Sequence, residues 1–224
     1  SFPNDVVGVT SLNILEGKVT RYQINLTDHA FWLGARCIDK CIEFRDYGAN
    51  VSAKYRGISK NIIAKLPFYP IVNKDISFQG FPFQIVKGQK VVFSGGALYK
   101  TFGGQNKYYD IIDNILKKYK QVVFWYAGSG DDSKLKELMK RYPGRVFHTL
   151  ERTDLFQTLQ HCRFYLNTYP ICGGLMYQYA ALAGVVPVTL RHDEDADGYL
   201  LNQEKLMVDF ENEADLYQEV DKLI

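Results

Sequence analysis

Residues 90–127, KVVFSGGALYKTFGGQNKYYDIIDNILKKYKQVVFWYA, set two short apolar runs on either side of an amphipathic helix. The run at 90–94 reads as a strand, and Gly95-Gly96 break it. Tyr108, Ile111, Ile112, Ile115 and Leu116 then recur at the spacing of one helical face. Lys117-Lys118 follow where cations suit a helix C-terminus. A second strand spans 122–127 and stops at the turn Gly128-Ser129-Gly130. Strand, helix and strand in this order, repeated, are the pattern of a parallel α/β sheet.

The alternation continues to residue 224. A helix starts at Ser133, a plausible N-cap, and puts Leu135, Leu138 and Met139 on one face. A strand at 145–150 passes through Glu151-Arg152-Thr153 into a helix at 154–161, and a strand at 163–167 passes through 168–173 into a helix at 174–183 that Gly184 ends. A strand at 185–190, a polar loop at 191–198, a short strand at 206–210 and a helix at 213–224 follow. The expectation is an α/β, Rossmann-like parallel sheet of six strands with flanking helices. Before residue 89 the pattern predicts strands at 6–9 and 22–26, a helix at 30–40, a buried strand at 41–45 and a second helix at 51–66. Residues 67–82, with three prolines and three phenylalanines, read as a connection that packs against something. This gives a smaller α/β domain over 1–75 and a larger Rossmann-like domain over 76–224. Two or three strands are few for an independent sheet, and the chain opens on Ser, so part of the first domain is expected to lie outside this sequence.

With 224 residues, the chain has room for a core without disulfide staples. Its 46% hydrophobic and 23% charged content excludes disorder, collagen and coiled coil. A net charge of +2 is too balanced for a protein that gains its affinity from a phosphate backbone, so nucleic acid is not an expected partner. Basic residues are in excess before residue 89, which fits a solvated face or, at most, peripheral contact with an anionic membrane. Cys37, Cys41, Cys162 and Cys172 match no disulfide framework, which points to a reducing, cytoplasmic compartment. No apolar run reaches the ~20 residues of a bilayer span.

In an open parallel sheet, ligands lie beyond the carboxyl ends of the strands, which directs attention to residues 94–104, 127–133, 150–153, 167–174 and 191–198. Ser94-Gly95-Gly96 and Gly173-Gly174 place paired glycines between a strand and a helix, where a phosphate can approach the backbone. Such turns also take glycine for backbone reasons alone, and it is two on one sheet edge that point to a ligand. Gly128 and Gly130 lack the third glycine of a dinucleotide fingerprint, and no Walker lysine occurs. Lys100 is either a point charge for a diphosphate or a solvated loop lysine. Arg152 is either a ligand or one half of a helix-start pair with Asp154. In Asn167–Gly184, NTYPICGGLMYQYAALAG, a rigid Tyr169-Pro170 bend precedes a helix whose first turn, Gly174, Leu175 and Met176, has no acidic side chain to occupy its dipole.

These residues resemble the donor-binding half of GT-B glycosyltransferases. In that family a proline and small residues precede the helix that meets the nucleotide-sugar diphosphate, and a strand like Gly184-Val185-Val186-Pro187-Val188 follows. FSGGALYK at 93–100 is similar to the family's first glycine-rich loop with its basic residue, WYAGSG at 125–130 to its next turn, and ERTDL at 151–155 to the loop after that. TDHAFWLG at 27–34 and KYRGIS at 54–59 look similar to glycosyltransferases of bacterial surface-polysaccharide loci. The resemblance implies a metal-independent hexosyltransferase without cofactor, taking a UDP- or GDP-type sugar as donor and a saccharide or lipid-linked acceptor. It places the enzyme in the cytoplasm or at the inner face of the membrane. The two glutamates of many retaining members are missing: Tyr179, with Gln178 beside it, and Cys172 stand in those regions. Gln178 then serves as a ribose or sugar contact, or as helix filler.

An inverting transfer needs a base for the acceptor hydroxyl. His29 is the candidate, with Asp28 to orient its ring and Phe31-Trp32 as a sugar-stacking surface. The alternative is an Asp cap with His29 and Trp32 in the core. His161-Cys162 and Cys172 fit no zinc spacing, so no metal is expected. Cys37 and Cys41 are four apart, as on one apolar helix face. Two other functions share this sequence pattern: a nucleotide-sugar-binding module that partners a separate chain, and an epimerase of the same fold, for which no acid–base carboxylate pair is evident.

Overall fold

A computed structural model describes residues 5–28, 30–192 and 209–224. The chain divides into two compact units, the first running to Phe68 and the second starting at Tyr69.

The first unit contains helix α1 (Val6–Ile14), strands β1 (Tyr22–Ile24) and β2 (Lys40–Glu43), helix α2 (Asp46–Lys54) and strand β3 (Ile63–Lys65). The strands form a parallel sheet in the order β1-β2-β3. Three expectations fail here. Residues 6–9 are helical: Asp5 caps the turn by accepting from the Gly8 N–H at 3.1 Å. Residues 30–40 are not a helix. Arg21 grips the Asp39 carboxylate with its backbone N–H at 2.8 Å and its guanidinium at 2.8 and 3.0 Å, which fixes this segment as a loop leading into β2. Trp32 and Ile38 still enter the small core with Cys41 and Ile58, but from irregular backbone, so Cys37 and Cys41 share no helix face. The helix expected over 51–66 ends early, at Lys54. Gly57 takes the left-handed conformation (φ +66°), and the chain turns back as β3 beside β2.

In the second unit β4 (Lys90–Gly95), α3 (Lys107–Lys118), β5 (Val122–Ala127), α4 (Ser133–Arg141), β6 (Val146–Thr149), α5 (Leu155–Gln160), β7 (Phe164–Leu166), α6 (Gly174–Leu182), β8 (Pro187–Leu190), β9 (Asp209–Phe210) and α7 (Glu213–Leu223) follow the expected alternation. The six strands pair in parallel in the order β6-β5-β4-β7-β8-β9. Val92, Phe124 and Phe164 point to the face covered by α3, α4 and α7. Val91, Phe93, Trp125 and Tyr165 point to the other, where Leu159, from α5, and Ala180, from α6, meet them. The connection completes that second layer without forming a helix: Phe83 stacks on Phe147 at 4.1 Å, and Phe81 and Phe83 meet the edge or face of Trp125 at 6.0 and 5.7 Å. Among the described residues, no helix is long and apolar enough to cross a membrane.

Strand order decides where a ligand can sit. From β4 the chain moves outward through β5 to β6, then returns across the sheet so that β7 lies on the other side of β4. The loops after β4 and β7 therefore leave adjacent strands in opposite directions, which opens a crevice at the carboxyl edge.

Candidate functional site

The two loops at this switch point are in direct contact. The Tyr165 hydroxyl, from a fully buried residue in the middle of β7, lies 3.3 Å from both the Gly95 carbonyl and Asn167 Oδ1. The Ile171 N–H donates to the Lys100 carbonyl at 3.2 Å. A Cβ on Gly95 would fall 2.9 Å from the Ala127 carbonyl oxygen, so the glycine lets the end of β4 lie against the end of β5, with Met176 Cε of α6 at ordinary contact distance, 3.5 Å.

Asn167 organises the loop after β7. Its Oδ1 accepts from the N–H groups of Thr168 at 2.9 Å and Gly173 at 3.0 Å, and its Nδ2 donates to Cys172 Sγ at 2.8 Å and Thr189 Oγ1 at 3.2 Å. The loop is thereby closed into a ring that ends at the N-cap of α6. Gly173 occupies that cap without a side-chain acceptor, and the first turn has no acidic residue. The N–H groups of Gly174, Leu175 and Met176 precede the first intrahelical bond, from Tyr177 N–H to the Gly173 carbonyl at 2.9 Å, and carry the positive end of the helix dipole. Leu175 is half exposed at this end. Tyr169 and Pro170 are joined by a cis peptide, and the Tyr169 ring packs into the main core.

The other expected residues divide. Lys100 lies in the β4 loop, half-buried, and its ammonium has no partner among the described residues. Ser94 is fully buried, and its hydroxyl accepts from Tyr108 at 2.5 Å, so what it contributes is the loop's footing. Burial pushes the Tyr108 hydroxyl far above its ordinary range and keeps it a donor. The Gly96 N–H is bonded to the Ala127 carbonyl at 3.0 Å. Gly128 and Gly130 pack against the loop after β4: a Cβ on Gly128 would fall 1.9 Å from the Gly96 carbonyl oxygen, and one on Gly130 would fall 2.9 Å from Leu98 Cβ. Their small size serves loop packing. Arg152 is committed to Asp154 by two bonds of 2.7 and 2.6 Å and lies over the Trp125 ring. Burial of Asp154 opposes its charge, but Arg152 and the Gln79 N–H at 2.8 Å outweigh it and hold the carboxyl below its usual range. Gln178 is buried on α6 with its contacts already made.

In the first unit, Asp28 accepts from Arg45 Nε at 2.9 Å and from Asn25 Nδ2 at 3.0 Å. Its carboxylate is held by these partners, and His29 lies outside the described residues. Trp32 is buried while Phe31 is largely exposed, so the two rings form no shared stacking surface. Among the described residues no three His, Cys, Asp or Glu side chains group to hold a metal ion. Asn167 and Tyr165 are the site residues that sequence reasoning missed. The available signal was an asparagine at a strand end, six residues ahead of a glycine N-cap that has no capping side chain of its own.

No protein-family profile matches the chain, and no curated protein matches it in sequence. Solved structures do match. An O-GlcNAc transferase mutant from Thermobaculum terrenum superposes with a TM-score of 0.65 at 16% identity, over 96% of this chain and 47% of its own. The fold is that of the GT-B glycosyltransferases. HepE from Anabaena, solved with UDP-glucose, matches with a TM-score of 0.59 at 16% identity, over 88% of this chain and 59% of its own. WaaG, described as a glycosyltransferase of lipopolysaccharide biosynthesis, matches with a TM-score of 0.57 at 15% identity, over 82% and 55%. The chain spans about half the length of these proteins, and what it shares with them is the fold.

Proposed function

We propose that the second unit binds the diphosphate of a nucleotide sugar and that the protein transfers the sugar to an acceptor hydroxyl. The observation that carries this reading is the meeting, at the switch point, of the β4 loop with the uncapped first turn of α6. The amides of Gly174, Leu175 and Met176 would hold the phosphates, with the Lys100 ammonium as the point charge. The same groups would stabilise the nucleoside diphosphate as negative charge develops on it, the largest demand in a glycosyl transfer with a diphosphate leaving group. HepE, with UDP-glucose bound, supports a UDP-type hexose donor, and WaaG, described as acting in lipopolysaccharide biosynthesis, supports a role in surface-polysaccharide assembly.

A second reading rests on Asp28. Its engagement with Arg45 and Asn25 fits a module that binds a nucleotide sugar without supplying a base. Release of free UDP from UDP-glucose only when an acceptor is added would support the transferase, whereas binding without turnover would support the module.

Leu175→Glu tests the phosphate position. A carboxylate in the first turn suits the helix dipole, so thermal stability should hold or rise by about 0.3–1 kcal/mol. It would also occupy the place of the diphosphate, so calorimetric titration with UDP-glucose should show affinity at least about ten-fold below wild type. Equal affinity in the two proteins would remove the ligand from α6.

A further inference from the structure

We propose that Tyr177 and Asp209 form a latch by which the edge strand β9 sets the pose of α6 and so the direction in which its first turn faces. The ligand consequence rests on the donor-site reading above; the latch itself does not.

Three observations carry it. First, α6, GLMYQYAAL, has no regular apolar stripe, with Leu175 and Leu182 exposed and Tyr177, Gln178 and Ala180 buried. A helix without a single apolar face is not fixed in rotation by hydrophobic burial alone, which gives specific polar anchors that role. Second, one anchor is already at the N-cap, where Asn167 holds the Gly173 N–H. Third, one turn further on, the fully buried Tyr177 donates its hydroxyl to Asp209 Oδ1 at 2.6 Å. Two anchors one turn apart restrict both the start and the rotation of the helix.

Asp209 is well placed to be the fixed partner. It pairs with Thr189 in β8, and the next residue, Phe210, enters the main core with Leu216 and Val220 of α7. Thr189 also receives Asn167 Nδ2, so both anchors trace to the same strand end. Burial pushes the Asp209 carboxyl up to about 6, against the pull of Tyr177 and Arg191, the titratable and charged groups that bear on it among the described residues. Burial also keeps Tyr177 protonated, so the tyrosine remains the donor at every working pH. A carboxylate accepts more strongly than a carboxylic acid, and the latch is strongest above about pH 6.

The test compares wild type with Tyr177→Phe, which keeps the ring, and with Asp209→Asn. Hydrogen exchange of the amides of residues 177–182 should quicken in both variants while those of α4 stay unchanged, and the double variant should be no worse than either single one. UDP-glucose, whose diphosphate stays charged throughout, should bind about ten-fold more weakly to Tyr177→Phe. Wild-type affinity should fall as pH drops through about 6, and that dependence should vanish in Tyr177→Phe. Unchanged exchange in α6, or equal change in α6 and α4, overturns the latch. A wild type that binds no nucleotide sugar overturns the proposed function instead, and the exchange comparison still decides the latch.

Discussion

Asn167 uses both the acceptor and the donor side of its carboxamide, taking the N–H groups of Thr168 and Gly173 and giving to Cys172 and Thr189. Asn167→Asp would lose both donated bonds and set a negative charge beside the α6 N-terminus. It should lower stability by about 1–3 kcal/mol in urea unfolding and weaken UDP-glucose binding in calorimetry. Wild-type behaviour in both would show the ring to be dispensable. Gly173→Asp is the less informative change, since even a Cβ there would lie 3.1 Å from Asn167 Oδ1. Gly128→Ala should cost about 1–3 kcal/mol through its clash with the Gly96 carbonyl, read as a lower urea midpoint with unchanged slope. At this scale the sequence told less than its glycines suggested. Gly95 makes room for the Ala127 carbonyl, Gly128 and Gly130 make room for the loop after β4, and Arg152 answers the buried Asp154, which also takes the N–H of the distant Gln79. A glycine pattern records close approach without saying whether ligand or backbone approaches.

Element by element, the second unit was legible because its central strands are short buried runs and α3 and α4 carry regular stripes, so local periodicity and tertiary burial agree. The first unit was not. The β-branched run at 6–9 is overridden by the Asp5 cap, and the apolar residues at 30–40 are drawn into a loop by the long-range Arg21–Asp39 pair. Arg56 adds to this by donating to the carbonyls of Thr27, Asp28 and Ala30 while lying over Trp32, contacts that join residues more than twenty positions apart. Between α3 and α4, Asp113 accepts from Arg141 at 2.7 Å and Tyr142 at 2.8 Å and pairs with Lys117. Burial opposes its charge, yet these partners hold the carboxyl down at about 2 against an ordinary 3.8. A depressed carboxyl stabilises the fold above its unfolded value and loses that contribution as pH falls through the folded one. Stability should therefore decline by about 1–2 kcal/mol from this group between pH 4 and 2, and Asp113→Asn should flatten that part of the urea-midpoint profile. An equally steep profile in the variant would assign the decline to other groups.

For the whole molecule, the parallel order β6-β5-β4-β7-β8-β9 is what converts a series of ordinary turns into a place for a ligand. The alternation of strands and helices was readable, but the order in which they pair is a property of the assembled sheet, and only that order shows that the β4 and β7 loops are neighbours. The central claim is that the anion binds at their junction. Crystals grown with UDP-glucose test it most directly. The account predicts a pyrophosphate within hydrogen-bonding distance of the Gly174, Leu175 and Met176 amides with the Lys100 ammonium turned towards it, and a nucleotide bound elsewhere, with the first turn of α6 bare, would contradict it.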